Sequence, residues 1–494
     1  MRSAAIAAIA AIAACVPFAG CMTGPDYERP AIDAAAQFQY ATNAAVETGD
    51  AAWWKAFGDP VLDALVAEAL AHNDNVKIAV ANLEQAAAVF TQSRSQLFPQ
   101  IGYDASAARS RSPQPAFPPE VARLIPNPDD AYRTGLSASW EIDFWGRIRR
   151  LTEAARAQAL ASDEARRGVI VSLVAGVATN YLQLRGLDAQ LAIARQTLAA
   201  YGESVKLFGL QFKYGQISQM NVAQVQSQYE TAAAQIPQIE SQIAQTQDAL
   251  SILLGRNPGP IERGKTIDEL VPPAIPAGVP SELLERRPDL RQAEQALVAA
   301  NAQIGAARAL YFPTISLTGA LGTSSNDLSK LFSGPSRAWS YAGQLVGPIF
   351  TFGAISGQVA QAEAARDAAL WNYRLAIRNA FGDVDNALVA NGKLAEQLAA
   401  QGRLVSSLKD YARLARLQYN GGYAPYSTVL QAEQSLFPAE LTLAAVRTSM
   451  LASSANVYKA MGGGWVDIAD AMSGSAVSLP PSGILEERSS TAIR

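Results

Sequence analysis

Hydrophobic positions along this chain keep two periods, and the change from one to the other is abrupt. From Gly146 to about residue 212 there is no proline, and apolar or small residues recur at alternating steps of three and four. Leu184, Leu187, Leu191, Leu198, Tyr201, Val205 and Phe208 belong to this seam, the spacing of a helix packed lengthwise on another. At about 1.5 Å per residue such a helix spans on the order of 100 Å, too long for a globular core. After the turn "KYGQIS" a second seam runs through Val222, Val225, Tyr229, Ala232, Ile236, Ile239, Ile243, Leu250 and Leu253. The order of seam, turn and seam returns later. Leu394, Leu398, Val405 and Leu408 precede "NGGYAPY", and Val429, Leu436, Leu443, Val446 and Met450 follow it. Each half of the chain therefore predicts a very long helical hairpin. Pro237 and Pro438 fall inside the returning helices and are expected to bend them.

Between these segments the period drops to two. In "AYRTGLSASWEIDFW" (131–145), Tyr132, Thr134, Leu136, Ala138, Trp140, Ile142 and Phe144 share one face. Arg133, Ser137, Ser139, Glu141 and Asp143 share the other, which predicts a strand with one apolar and one polar side. "IGYDASAARSR" (101–111) is a weaker partner, and the second half offers "TISLTGALG" (314–322) and "AWSYAGQLV" (338–346). Lengths of about 9–13 residues suit tilted membrane strands, with Tyr132, Trp140, Trp339 and Tyr341 as interfacial girdles. A soluble sheet would alternate in the same way.

The halves are related. "LQFKYGQISQMNVAQVQ" (210–226) aligns with "LQYNGGYAPYSTVLQAE" (417–433), and "DFWG" (143–146) with "FTFG" (350–353), at a separation of 207 residues. "LFPQI" (97–101) aligns with "YFPTI" (311–315) at 214. The seven-residue difference lies between about 102 and 142, where a loop of unequal length is expected.

Composition narrows the function. Lys and Arg number 40 against 44 Asp and Glu, and charged residues make up 17% of the 494. No basic run points to nucleic acid. The single histidine, His72, excludes His-rich metal or triad chemistry and reads as a solvated or capping residue between helices. No internal run of about 20 apolar residues predicts a spanning helix. "GPIERGKT" (259–266) spells the phosphate loop of nucleotide hydrolases, but that loop needs a strand before it and a helix after it. Here a helix ends at Gly255 and Pro258, and Pro272 and Pro273 follow, so the match reads as a coincidence in a linker. No enzyme constellation survives.

Residues 1–20 read as a secretory signal, with Arg2 ahead of an apolar core at 4–14. "FAGC" ending at Cys21 is similar to the bacterial lipoprotein box; "IAAC" ending at Cys15 is also box-like but leaves a short apolar core. Cys21 is the preferred site of a covalent lipid, with an ordinary cleaved signal as the alternative. Four strands cannot close a membrane barrel, and open edges cannot face lipid. If these strands span, several chains must each donate four.

At this point the chain resembles the outer-membrane factors of tripartite efflux systems, the TolC-like channels, and within them the lipoprotein branch called NodT. The resemblance covers nearly the whole mature chain. It rests on "GPDYERP" after Cys21, "WWKAFGDPVLDALVAEAL" (53–70), "ERRPDLRQAEQAL" (285–297), "YFPTI", "GPIFTFG" (347–353) and "YKAMGGGW" (458–465). It implies a mostly helical trimeric fold: a twelve-stranded outer-membrane β-barrel with four strands per chain, a long periplasmic α-helical barrel, and a mixed equatorial belt. The expected organisation is a first repeat over 21–255 with its β-hairpin near 100–144, and an equatorial linker over 256–287. A second repeat over 288–462 has its hairpin near 313–350, and an equatorial tail covers 463–494. The resemblance further implies a homotrimer in the outer membrane of a Gram-negative bacterium, lipid-anchored and extending into the periplasm. It would export small toxic compounds or drugs passively, with a periplasmic adaptor (membrane fusion) protein and an inner-membrane pump, and with no cofactor. The competing reading is a structural or adhesive envelope lipoprotein with a coiled-coil stalk.

On this resemblance the periplasmic tips are the two helical turns, with Lys213, Tyr214, Gly215, Gly421, Gly422 and Tyr423 as adaptor contacts. Gly215, Gly421 and Gly422 suit positive backbone angles. The constriction is expected among Met220, Gln224, Tyr426, Ser427, Gln431 and Gln434. Relatives carry an aspartate and an arginine where this chain has Gln431 and Gln434. Closure by glutamines is therefore expected to depend little on pH between about 4 and 7.

Overall fold

The computed structural model describes residues 22–32, 38–40, 51–111, 113, 120, 128–275, 280–475 and 477. The expected signal, Cys15, Cys21 and the tail beyond 477 lie outside the described residues.

Among the described residues, regular structure begins with a 3-10 turn, Trp53–Phe57, then α1 (Pro60–His72) and α2 (Asp74–Ser95). Asp59 caps α1, its carboxylate accepting from the Val61 N–H at 2.9 Å, and Pro60 takes the first position, where no N–H is needed. His72 is exposed at the end of α1. Asn73 joins the helices, accepting from the Val76 N–H at 3.2 Å and donating to the Leu253 carbonyl at 2.8 Å.

Strands β1 (Gln100–Ser110) and β2 (Asp129–Ile142) follow, then α3 (Arg147–Lys213) and α4 (Gln219–Leu253). After an irregular stretch come α5 (Pro280–Arg286), α6 (Pro288–Ala309), β3 (Thr314–Ser325) and β4 (Arg337–Val346). The chain then runs through α7 (Ala354–Asn420), α8 (Tyr426–Met461) and α9 (Trp465–Ser473). The duplication holds element by element. Helices α3 and α7 each have 67 residues, and α2 and α6 each have 22. Helices α4 and α8 continue through Pro237 and Pro438.

Strand β2 stops at Ile142, short of Phe144, because the next residue is needed elsewhere. The Asp143 carboxylate accepts from the N–H groups of Ile148 and Arg149 at 2.9 and 2.8 Å, capping α3 from outside the sheet. The four strands form one antiparallel sheet in the order β1-β2-β3-β4.

The main core lies where α1, α3, α4, α8 and α9 meet. Trp53 stacks on Tyr458 with centroids 5.4 Å apart and meets Trp54 and Trp465 edge-on at about 6 Å. Farther along, the seam of α4 buries Val225, Ala232, Ile239, Ile243 and Leu250. Helices α3 and α8 pack tightly at Gly186, where a β-carbon would lie 2.0 Å from Thr448 Oγ1. Among the described residues no helix is long and apolar enough to cross a membrane.

Candidate functional site

The sheet sorts its side chains by register. Residues directly opposite one another share a face, and neighbours along a strand alternate. Tyr103 stands opposite Leu136, Leu136 opposite Leu321, and Leu321 opposite Trp339. Ile101, Trp140, Leu317, Tyr341 and Leu345 fall on this same apolar face. Trp339 and Tyr341 are 70% and 81% exposed and stack with centroids 5.7 Å apart, an aromatic patch on the sheet's outside. Charges on this face are Arg109, Asp130 and Arg337, each within two residues of a strand end away from the helices.

The opposite face is small and polar. Ser106, Ser137, Ser139, Ser316, Thr318 and Ser340 lie on it, with Asp104, Asp129, Arg133 and Glu141 as its charges inside the paired region. Gly135 and Gly322 pair there so closely that a β-carbon on Gly322 would sit 2.3 Å from the Thr134 carbonyl oxygen. Strands β1 and β4 each have one edge unpaired. A sheet that is apolar on one face, polar on the other and open at both edges has the form required of a segment of a membrane barrel wall.

At the other end, each hairpin turns on a glycine. Gly215 (φ +73°) and Gly422 (φ +76°) occupy equivalent positions and adopt left-handed backbone. Gly421 differs from expectation, with an ordinary right-handed φ of −82°. Its lack of a side chain serves proximity instead, since a β-carbon there would lie 2.9 Å from the Tyr423 ring. Lys213, Tyr214, Gly215, Gly421, Gly422 and Tyr423 are all exposed at this tip. Met220, Gln224, Ser427, Gln431 and Gln434 are exposed on the first turns of α4 and α8. Tyr426 points elsewhere. Its ring lies 4.2 Å from Phe208 on α3 and 5.2 Å from Tyr419 on α7, joining one hairpin to the other.

Between that contact and Gly186 the hairpins enclose a cleft of about 670 Å³. Ile193, Val405 and Phe437 line its apolar part. Lys409 pairs with Glu440 at 2.9 Å, Arg416 with Glu433, and Arg447 with Asp268. Glu433 is the unusual member. One oxygen meets Arg416, and the other is buried without a hydrogen-bond partner among the described residues. Burial raises its pKa above the ordinary glutamate value, with Arg416 opposing. The Tyr201 hydroxyl donates to the Glu433 backbone carbonyl at 3.3 Å. The pH-insensitivity expected of the glutamines thus has a titrating neighbour two residues beyond Gln431. Sequence reasoning placed Tyr201 and Phe208 in the seam but missed Glu433, a carboxylate between Gln431 and Gln434 that nothing local in the sequence marks.

The segment after Cys21 is tied to the junction of sheet and helices. Met22 lies against Gly146, and the Thr23 N–H donates to the Trp145 carbonyl at 3.2 Å. Buried Arg150 donates to the Thr23 carbonyl at 3.1 Å and to Asp26 at 2.7 Å. Farther on, Asn301 donates to the Pro25 carbonyl, and Tyr27 and Arg29 both bind Glu294. The strap therefore runs antiparallel to α6.

"GPIERGKT" is irregular backbone, with no strand or helix among described residues 256–270. One of its N–H groups already holds the buried carboxylate of Asp59, and a second reaches that carboxylate through Tyr181. Lys265 N–H donates to Asp59 Oδ2 at 3.1 Å, and Gly264 N–H donates to the Tyr181 hydroxyl at 2.9 Å. Tyr181 in turn donates to Asp59 Oδ2 at 2.7 Å. Burial, and then Asp59, push the Tyr181 phenol up, keeping it a donor. The loop spells a phosphate cradle and holds a side chain in it. Among the described residues no cluster of candidate metal ligands occurs.

The sequence pattern of the family described as outer membrane efflux protein matches residues 65–256 and 279–463. The chain is 37% identical over 469 residues to the toluene efflux pump outer membrane protein TtgF of Pseudomonas putida, covering 92% of this chain and 97% of that protein. It is 35% identical over 459 residues to the cation efflux system protein CusC of Escherichia coli, covering 91% and 98%. Among solved structures, the outer-membrane channel OprN superposes with a TM-score of 0.83 at 30% identity, covering 90% of this chain and 100% of that one. The Neisseria gonorrhoeae channel MtrE, solved in its open state, gives 0.82 at 32% identity, covering 90% and 99%.

Proposed function

The chain belongs to the outer membrane efflux protein family and is an outer-membrane efflux channel; we propose that it is the passive duct of a three-component pump. Three copies would form one tube, and small toxic compounds or drugs would pass through it from periplasm to exterior. The observation that carries this reading is the sheet with opposite faces and two open edges, mounted on a pair of 67-residue helices. A stalk has no use for an apolar outer face on a sheet. On this reading the energy comes from an inner-membrane pump, delivered through a periplasmic adaptor that meets the exposed tip around Tyr214 and Tyr423. The Asp59 carboxylate in the Gly264 loop supports a channel with no nucleotide chemistry of its own.

We further propose that Cys21 carries the lipid. Met22 lies beside Gly146 at the helix end of the sheet, which supports an anchor level with a membrane surface. The constriction is proposed among Met220, Gln224, Ser427, Gln431 and Gln434, with Tyr426 holding the hairpins together behind it. The test is conductance of the purified protein in planar bilayers. It is expected to conduct weakly, equally with and without ATP, and Lys265→Ala is expected to change nothing. Gln431→Lys would place like charges around the axis and is expected to raise conductance. A protein whose conductance requires ATP, or that hydrolyses it and loses that activity in Lys265→Ala, would refute the passive reading.

A further inference from the structure

We infer that the open edges of the sheet join copies of this chain in one defined register, with Leu345 of one copy opposite Ala105 of the next. The inference rests on the proposed assembly and adds residue-level pairing to it. The repeat supplies the argument.

Elements before the β-hairpin recur 214 residues later, and elements after it recur 207 residues later. These shifts carry α2 onto α6 and α3 onto α7 with matching first and last residues. They also survive a stricter check within the sheet. Applied to the pair Gln100 and Ser139 of β1 and β2, they give Thr314 and Val346, which are observed opposite one another in β3 and β4. The repeat is thus in register through the strands as well as the helices.

The same shifts can be applied to the junction between the repeats, where β2 pairs with β3. Ile142 stands opposite Ile315, Ala138 opposite Gly319, and Ser137 opposite Ala320. Moved by the repeat, these become Ile349 opposite Ile101, Leu345 opposite Ala105, and Gln344 opposite Ser106. Strand β1 of the same chain lies at the far edge of the sheet, so the partner β1 belongs to a second copy. The alternation agrees without adjustment. Leu345 and Ala105 are both on the apolar face, and Gln344 and Ser106 are both on the polar one.

A residue that is anomalous in the single chain falls into place. Phe352 has a φ of +47°, rare for a bulky side chain, and is 101% exposed. Its counterpart in the first repeat is Trp145, which stacks on Phe312 with centroids 4.4 Å apart. Phe312 corresponds to Phe98, itself exposed at the foot of β1. The repeat therefore seats Phe352 on Phe98 of the second copy. Strain held at Phe352 is offset once its ring is covered.

The experiment uses the full chain, whose own two cysteines both lie in residues 1–21. Leu345→Cys and Ala105→Cys are placed together in one gene and oxidised in isolated membranes. Directly opposed residues have Cβ atoms about 4.5–5.5 Å apart, within reach of a disulfide after small adjustment, whereas diagonal neighbours are about 7–8 Å apart. The matched pair is expected to form interchain dimers and closed trimers at least about tenfold faster than Leu345→Cys with Tyr103→Cys or with Ala107→Cys. Phe352→Ala and Phe98→Ala are each expected to lower the temperature at which the trimer dissociates, the double variant no further than either single one. A trimer by native mass that crosslinks best through a shifted pair, or in which the two alanine effects add, overturns the register and leaves the channel reading intact. A monomeric particle overturns both.

Discussion

Replacing Gly264 by alanine tests whether the 259–266 loop depends on its close fit to the Asp59 carboxylate. A β-carbon at residue 264 would lie 2.0 Å from Asp59 Oδ1, 2.5 Å from Oδ2 and 2.6 Å from the carboxyl carbon. Nothing there is a flexible chain end, because Asp59 is fully buried and fixed on both sides. Either the loop lifts or the carboxylate turns away. Turning away sacrifices the α1 cap, about 1 kcal/mol, and the bonds from Tyr181 and Lys265, about 1.5–3 kcal/mol each for a charged acceptor. Partial recovery by relaxation leaves a cost on the order of 3 kcal/mol, about a hundredfold in the population of locally opened loop. Trypsin reads that population directly, since cleavage after Arg263 and Lys265 requires the segment to leave its site. Gly264→Ala is expected to be nicked there about a hundred times faster than the parent at equal protease. Asp59→Ala removes the clashing atoms, so adding Gly264→Ala to it is expected to cost almost nothing more. A nicking rate for Gly264→Ala within about threefold of the parent, or a double variant in which the two effects add, would refute the reasoning.

Two further outcomes are expected. Cys21→Ala should abolish incorporation of radioactive palmitate, and persistence of label would move the anchor to Cys15. Glu433 holds a raised pKa in the fold, so the folded state binds its proton more readily than the unfolded chain does. Its contribution therefore favours the folded form increasingly as pH falls through the raised value toward the ordinary one near 4.3. Glu433→Gln should remove that part of the acid dependence of thermal unfolding, and identical pH profiles for parent and variant would show that Glu433 does not titrate there.

The fold was legible where one local period decided the structure. The alternation from Tyr132 to Ile142 gave β2 its faces, and the three-four spacing from Leu184 to Phe208 gave α3 its seam. Both patterns depend on neighbours within a few residues, so the sequence displays them directly. The cradle around Asp59 was not legible, because its donors come from Lys265 and Tyr181, far away in the chain. "GPIERGKT" taken alone points to phosphate because a carboxylate and a phosphate ask the same thing of backbone N–H groups. Gly421 misled for a related reason. Composition says that glycine tolerates positive φ, and only the fold says that here it clears the Tyr423 ring. Tyr426 likewise reads as a constriction candidate in sequence, while in the fold its ring rests on Phe208, a contact between two hairpins.

The matched lengths of α3 and α7 limit how this protein can change over generations. Two rods of 67 residues reach the same depth only while their lengths agree. A four-residue insertion in one of them would push its turn about 6 Å past the other and rotate the seam beyond it. In a ring of copies the tips would then alternate between high and low steps. Tolerated length changes should therefore arrive in pairs, 207 residues apart, or gather in the loops. The seven extra residues between β1 and β2 already lie in one of these. The repeat acts as a gauge, each half holding the other to size.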